Sequence, residues 1–427
     1  MNLSIIKRYF IYSTDELTNI NLFWWGIILY FAAHTITTSN QVNFIFFQLF
    51  MLVGICLFIY FGSYLVTFKF NSEYQKILFV LMIFWATVTV LRGFTLDKDE
   101  IKLMLFSPWF GVFPYYVPLV MLFSKKLILY KKAFNVLVIL SVFYALYSLI
   151  FFDALTDPDP YNIFSRDMVE YFSKNLSVTI GFILLMYTYN SNRKLFFAIL
   201  ILIITIFFAL VRARRGLTLM LIEIFIFWYI LYFIQMKRKT VMITASFIFF
   251  FVFFVLAVYL YNLGLFEKYF ELMAKRGAED SRSYVEQFFF MDMEIIDYII
   301  GRGMSGEYYS PTVSEGSFRD VMETDYLQII LKGGVIYLAL ILGLLVPAIY
   351  KGMFQSNNLL AKASSFWILF WMFNLYPSTV KAFNMTYILV WLSAGICYSQ
   401  EMRNIPDRAL TIFFQQPRLF WGKKNKN

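Results

Sequence analysis

Residues 198 to 211 read Ala198-Ile199-Leu200-Ile201-Leu202-Ile203-Ile204-Thr205-Ile206-Phe207-Phe208-Ala209-Leu210-Val211, without a single charge, and Arg212-Ala213-Arg214-Arg215-Gly216 follows at once. An apolar run of this length lacks the polar alternation of a half-buried strand and fits a helix whose solvent is lipid. The whole chain has the same character. Its 427 residues are 60% hydrophobic and 21% aromatic, only 15% are charged, and mean hydropathy is positive. Such a composition cannot cover a water-soluble globule with polar surface.

Outward from this run, apolar stretches of about 17 to 25 residues, the length a tilted membrane helix needs, centre near residues 29, 55, 84, 113, 143, 182, 203, 226, 252, 340, 369 and 390. They predict an all-α polytopic membrane protein of about 12 transmembrane helices. Residues 1–263 carry spans 1–9 and residues 264–325 form one large outward loop between spans 9 and 10. Residues 326–402 carry spans 10–12, and 403–427 form a basic tail. The fourth span holds Pro108, Pro114 and Pro118, so it is kinked or partly re-entrant. The first span follows mixed polar residues without a small-residue cleavage site, so it is expected to stay as a helix.

Basic residues give the orientation. With the N-terminus inside, Lys7 and Arg8, Lys125, Lys126, Lys131 and Lys132, Arg193 and Lys194, Lys237 to Lys239, and Lys423, Lys424 and Lys426 all fall on the cytoplasmic side, as the positive-inside rule requires. The net charge of +10 thus reports topology and attraction to anionic membrane lipids; no nucleic-acid partner is expected. Cys56 and Cys397 lie inside apolar spans and read as packing residues. His34, the only histidine, lies near the outer end of the first span, and a histidine-based metal site or triad has little support. No internal repeat is visible, which weakens an inverted-repeat transporter.

Three outward clusters carry the candidate chemistry. Arg212, Arg214 and Arg215 stand on the side that the positive-inside rule leaves poor in cations. Span eight begins there, and its helix N-terminus adds free N–H groups to guanidinium forks that match phosphate oxygens. Snorkelling to lipid headgroups is the alternative. In the large loop, residues 267 to 276 are expected to form a surface helix, and Asp280 or Ser281 to cap a helix running to about Ile300. Arg282 in its first turn opposes the helix dipole unless an anion is near. Gly301-Arg302-Gly303-Met304-Ser305-Gly306 matches a dinucleotide fingerprint in letters only, since no helix follows and the loop cannot hold a nucleotide-binding sheet; it is expected to be a flexible turn near substrate. Third, Asp325 followed by Gln328 reads as a helix cap. Glu323 precedes it at the membrane interface, where a partly apolar pocket suits a general base.

The stretch Glu323-Thr324-Asp325-Tyr326-Leu327-Gln328-Ile329-Ile330-Leu331-Lys332-Gly333-Gly334-Val335-Ile336-Tyr337 resembles the signature of the O-antigen polymerase and O-antigen ligase superfamily. There a polar residue and Asn lead into Tyr-Leu and an apolar helix with Gly and then a second Gly or Tyr, and Gly334 and Tyr337 fall at the matching spacing. Arg215-Gly216 resembles the family's Ser-Arg-Gly corner, with Arg214 where Ser is usual. Arg282, with Gly301-Arg302-Gly303, resembles its second loop arginine and Gly-x-Gly turn. The resemblance covers roughly Val211 to Tyr337 and the span count. Ligases usually carry His where Glu323 stands, so it favours the polymerase branch and leaves the identity of the base open.

The resemblance implies a glycosyltransferase in the bacterial inner membrane with its site and large loop facing the periplasm. Its donor and acceptor are undecaprenyl pyrophosphate-linked oligosaccharides, and a chain-length regulator and a flippase are possible partners. Arg215, with Arg212 or Arg282, takes the pyrophosphate, as do the neighbouring Arg214 and Arg302. Glu323, or failing it Asp325, takes the proton of the acceptor hydroxyl, and the sugar carbon inverts. Tyr308, Tyr309 and Tyr326 are candidates to stack on sugars. No metal-ligand spacing is seen, so metal-independent chemistry without a cofactor is expected.

Overall fold

Charged residues mark the ends of two of the long helices. Asp15 and Glu16 stand in the first turn of α1 (Thr14–Thr37), and Glu73 and Arg92 bound α3 (Glu73–Arg92), with apolar residues filling the turns between. A computed structural model describes residues 9–38, 44–157, 159, 162–236, 240, 244, 281–311 and 318–415. Among the described residues the fold is all-α apart from a two-residue antiparallel pairing of β1 (Tyr308–Tyr309) with β2 (Phe318–Arg319) and an isolated antiparallel bridge between Val66 and Phe123. Between α1 and α3 lies α2 (Phe44–Leu65). The remaining long helices are α5 (Leu127–Ile150), α7 (Asn192–Val211), α8 (Arg215–Gln235) and α11 (Asp325–Phe354), with the shorter α4 (Lys98–Phe106) and α6 (Ile163–Phe172) among them. Then α9 (Ser281–Asp292) and α10 (Ile295–Ile300) precede α11, while α12 (Leu359–Asn374), α13 (Met385–Tyr398) and α14 (Asp407–Gln415) follow it. Among the described residues seven helices, α1, α2, α3, α5, α7, α8 and α11, are long and apolar enough to cross a membrane.

The other expected spans have their own local form. Around Pro108 to Pro118 the chain turns after α4 and continues as one α-turn, Phe113–Tyr116, running into a 3-10 helix, Val117–Leu122, which is the break that three prolines impose. The segment near residue 182 passes through a π-helix, Ser173–Ser177, a 3-10 turn and a short α-helix. All of these residues are buried among neighbouring helices, the setting in which irregular backbone is tolerated at membrane depth. Its buried Asn175 donates to Thr35 of α1 at 3.2 Å, and Thr205 of α7 to Ser177 at 2.9 Å. Glu223 of α8 accepts the side-chain amide of Asn374. The segment near 252, the surface helix at 267–276 and the end of the basic tail lie outside the described residues. Within the expected tail, α14 is helical and buries Leu410, Phe413 and Phe414.

Two expectations for the large loop change. The helix from Ser281 does not run to Ile300. It ends at Asp292, and α10 starts afresh after Glu294, whose extended backbone is held by its N–H donating to Asp297 at 3.4 Å. Gly301-Arg302-Gly303 is a structural clasp. Helix α11 breaks at Gly334, where φ is +73° and an added Cβ would lie 2.1 Å from the carbonyl oxygen of Ile299. The break frees the carbonyls of Leu331, Lys332 and Gly333, which accept from Arg302 N–H at 2.7 Å, Gly303 N–H at 2.9 Å and the Trp85 indole at 2.7 Å. A buried carbonyl left unpaired costs about 1–3 kcal/mol, so loop and helix hold each other in place.

Candidate functional site

The chain reverses between α7 and α8 in three residues. Ala213 adopts φ +49°, and the Arg214 N–H donates back to Ala209 at 2.8 Å. Arg214 then occupies the cap position of α8 without a capping side-chain bond, so the first-turn N–H groups face outward from the helix end. Gly216 lets the segment after α12 come close: an added Cβ would lie 2.7 Å from the Pro377 carbonyl oxygen. That segment is tied down from two sides. Lys174, in the π-helix, donates to Thr379 at 2.9 Å through both its carbonyl and its hydroxyl, while Asp325 accepts the main-chain N–H groups of Val380 and, at 2.5 Å, Lys381.

These elements enclose a cavity of about 520 Å³. Arg214 and Arg215 line it from the α7–α8 turn. Arg166, Asp167, Glu170 and Tyr171 do so from successive turns of α6, Arg319, Glu323 and Asp325 from the approach to α11, and Lys381 from the segment before α13. Trp109 and Tyr171, with ring centroids 4.7 Å apart, and Phe110 supply an aromatic wall.

The charges are not equivalent. Glu170 is paired with both Arg214 and Lys174, and Arg319 stands 3.9 Å from Glu323, a separation at which an exposed pair contributes little. Arg215 has no hydrogen-bond or ion-pair partner among the described residues, and the buried Nε of Arg166 is also without one. Lys381 is 8% exposed, its ammonium 4.7 Å from the Tyr115 ring centre and 4.5 Å from that of Tyr337. Burial pushes this ammonium down to about 7, with the Asp325 charge opposing the shift and Lys332 adding to it.

Asp325 is not the cap of α11. The cap of α11 is Thr324, which makes no side-chain cap bond; its hydroxyl donates to Glu286 at 2.6 Å. Asp325 is the first helical residue and only 2% exposed, its carboxylate turned to the Val380 and Lys381 amides. Gln328, expected to complete a cap with Asp325, accepts the Met322 N–H at 2.7 Å and donates to Asp320 at 3.1 Å. The Glu323 side chain is 46% exposed and has the freer access to the cavity.

No family model, curated protein or solved structure matches the chain. The chemistry is therefore read from the residues themselves. Unneutralised guanidinium groups beside an uncapped helix N-terminus suit a phosphate or pyrophosphate. An accessible carboxylate suits proton removal, and an aromatic wall suits the apolar face of a sugar ring. Among the described residues no cluster of three or more His, Cys, Asp or Glu side chains is placed to hold a metal ion.

Of the candidate residues, Arg214, Arg215, Glu323 and Asp325 meet in this cavity. Arg212 and Arg302 do not line it. Arg212 is buried and donates to the carbonyls of Asp157, Asp159 and Asn162; Arg302 is held by Asp292, Asp297 and the Glu307 carbonyl. The side chain of Arg282, which sits at the start of α9, lies outside the described residues. Tyr326 donates to the Met372 carbonyl at 3.1 Å, Tyr308 is buried, and neither lines the cavity. His34 is buried against Tyr30 and Trp109. Sequence reasoning missed Arg166, Arg319 and Lys381. Lys381 carried a usable signal: like Arg215, it is a cation at the turn between two apolar segments.

Proposed function

We propose that the chain is a membrane glycosyltransferase of the O-antigen polymerase type, with about twelve spans and the cavity at the periplasmic face of the bacterial inner membrane. It transfers a glycan from undecaprenyl pyrophosphate to a sugar hydroxyl of a second lipid-linked repeat. The observation that carries this reading is the convergence of Arg215 and Glu323, distant in sequence, on one cavity that also holds Arg166 and an aromatic wall. Arg215 and Arg166 bind the pyrophosphate, aided by the N-terminus of α8. Glu323 removes the proton as the acceptor oxygen bonds to the anomeric carbon, and the electron pair of the breaking carbon–oxygen bond passes to the pyrophosphate. Attack opposite the leaving group inverts that carbon. The growing negative charge is met by guanidinium groups already in position. Asp325 acts as a positioning residue, because its carboxylate already serves two main-chain amides.

Deletion of the gene tests this in the cell. For an O antigen, a gel of surface polysaccharide should show core bearing a single repeat and no ladder. Bare core with long polymer on the carrier lipid identifies a ligase instead, and repeats trapped on the cytoplasmic face identify a transporter.

A further inference from the structure

Between Met291 and Ile299 the large loop exposes a row of apolar side chains: Met291, then Ile295, Ile296 and Ile299, with Ile295 81% exposed. Positions 295, 296 and 299 share one face of α10. An apolar face of this kind is not left to water without reason, and its surroundings indicate what covers it. The guanidinium of Arg92, the charged end of α3, donates to the carbonyls of Ile300 at 2.9 Å and Gly301 at 2.8 Å. The other flank of α10 meets the break in α11, where Gly334 abuts Ile299 and Ile300. Both contacts mark the same level. Helix α3 has 20 residues, about 30 Å at 1.5 Å per residue, the thickness of a bilayer's hydrocarbon core. The part of α11 after its break, Val335 to Phe354, is also about 30 Å long. Arg92 and Gly334 therefore lie at one boundary of the apolar slab, and the exposed Leu91 and Val335 beside them belong to its lipid-facing belt.

We infer that α10 lies at the membrane boundary with its isoleucine face in the lipid, so that this part of the loop is a membrane-seated element continuous with the belt of α3 and α11. The nine residues of α11 before the break then stand on the water side, and Asp325 lies within about 14 Å of the boundary. This position rests on the fold and holds whether or not the cavity transfers glycan.

Spin labels on the full chain in phosphatidylethanolamine–phosphatidylglycerol vesicles test it, with Cys56→Ser removing the exposed native thiol and buried Cys397 left in place. One label is attached at Ile296→Cys and a reference label at Glu307→Cys, both exposed positions. The label at 296 should be open to dissolved oxygen and shielded from a water-soluble nickel complex, with 307 showing the reverse. Nickel contact at 296 equal to that at 307 overturns the lipid seat, since the face is then in water. Shielding of 296 from both oxygen and nickel also overturns it, since protein then covers the face.

Discussion

Asp325 accepts the main-chain N–H of Lys381 at 2.5 Å, joining the start of α11 to the segment before α13. The same oxygen accepts the Val380 N–H, so removing the carboxylate leaves two buried donors unpaired, at about 1–3 kcal/mol each. Asp325→Ala should therefore lower the melting temperature of the solubilised protein and reduce its folded yield. Asp325→Asn keeps an acceptor oxygen and should fold nearly normally. Equal melting of the alanine variant and the parent would show that the latch is not needed.

Arg215 and Arg212 should separate in their effects. Arg215 faces the cavity without a partner among the described residues, so Arg215→Lys should fold normally yet lose about ten- to hundredfold of its transfer rate, the value of a charge-assisted contact. Arg212 joins three loop carbonyls, which one ammonium cannot span, so Arg212→Lys should lower the folded yield instead. Rates normalised to folded protein distinguish the two. A full rate from Arg215→Lys would leave lipid-headgroup snorkelling as its role.

If Glu323 is the base, Glu323→Gln should lower the chemical step by about 10²–10⁴-fold while donor binding persists. Asp325→Asn should lose less. Single-turnover transfer with pre-bound donor gives the comparison, and the opposite order would move the base to Asp325.

Lys381 predicts a pH effect on stability. Its folded pKa of about 7 lies below the ordinary lysine value, so between these limits the unfolded chain binds the extra proton. Its burial cost is fully present below about pH 7 and is relieved as pH rises. The melting-temperature advantage of Lys381→Met over the parent should therefore be greatest below pH 7 and shrink toward pH 10. A constant difference across this range would contradict the burial of a charged Lys381.

Membrane helices are legible because lipid imposes one simple demand, a long apolar run with paired backbone groups. The turn at Arg214 and Arg215 was legible because three arginines crowd the junction between two long apolar runs. The roles of Arg212 and Arg302 were not, since a guanidinium serving carbonyls or internal carboxylates has the same letters as one awaiting a phosphate. The latch role of Asp325 was hidden for a similar reason: the amides that hold it come from Val380 and Lys381, over fifty residues away. Gly334 stood in the signature, but its positive φ and the carbonyls it frees exist only once Gly301 to Gly303 pack against it.

We propose that this cavity lengthens a lipid-linked glycan. Purified protein in lipid vesicles, supplied with undecaprenyl pyrophosphate-linked repeats alone, tests it most directly, with products resolved by glycan length. The parent protein should produce a ladder and release undecaprenyl pyrophosphate, and Arg215→Lys should produce little of either. Folded parent protein that leaves authentic repeats unlengthened would show that the cavity does not polymerise glycan, and an equal ladder from the Arg215→Lys variant would remove Arg215 from the site.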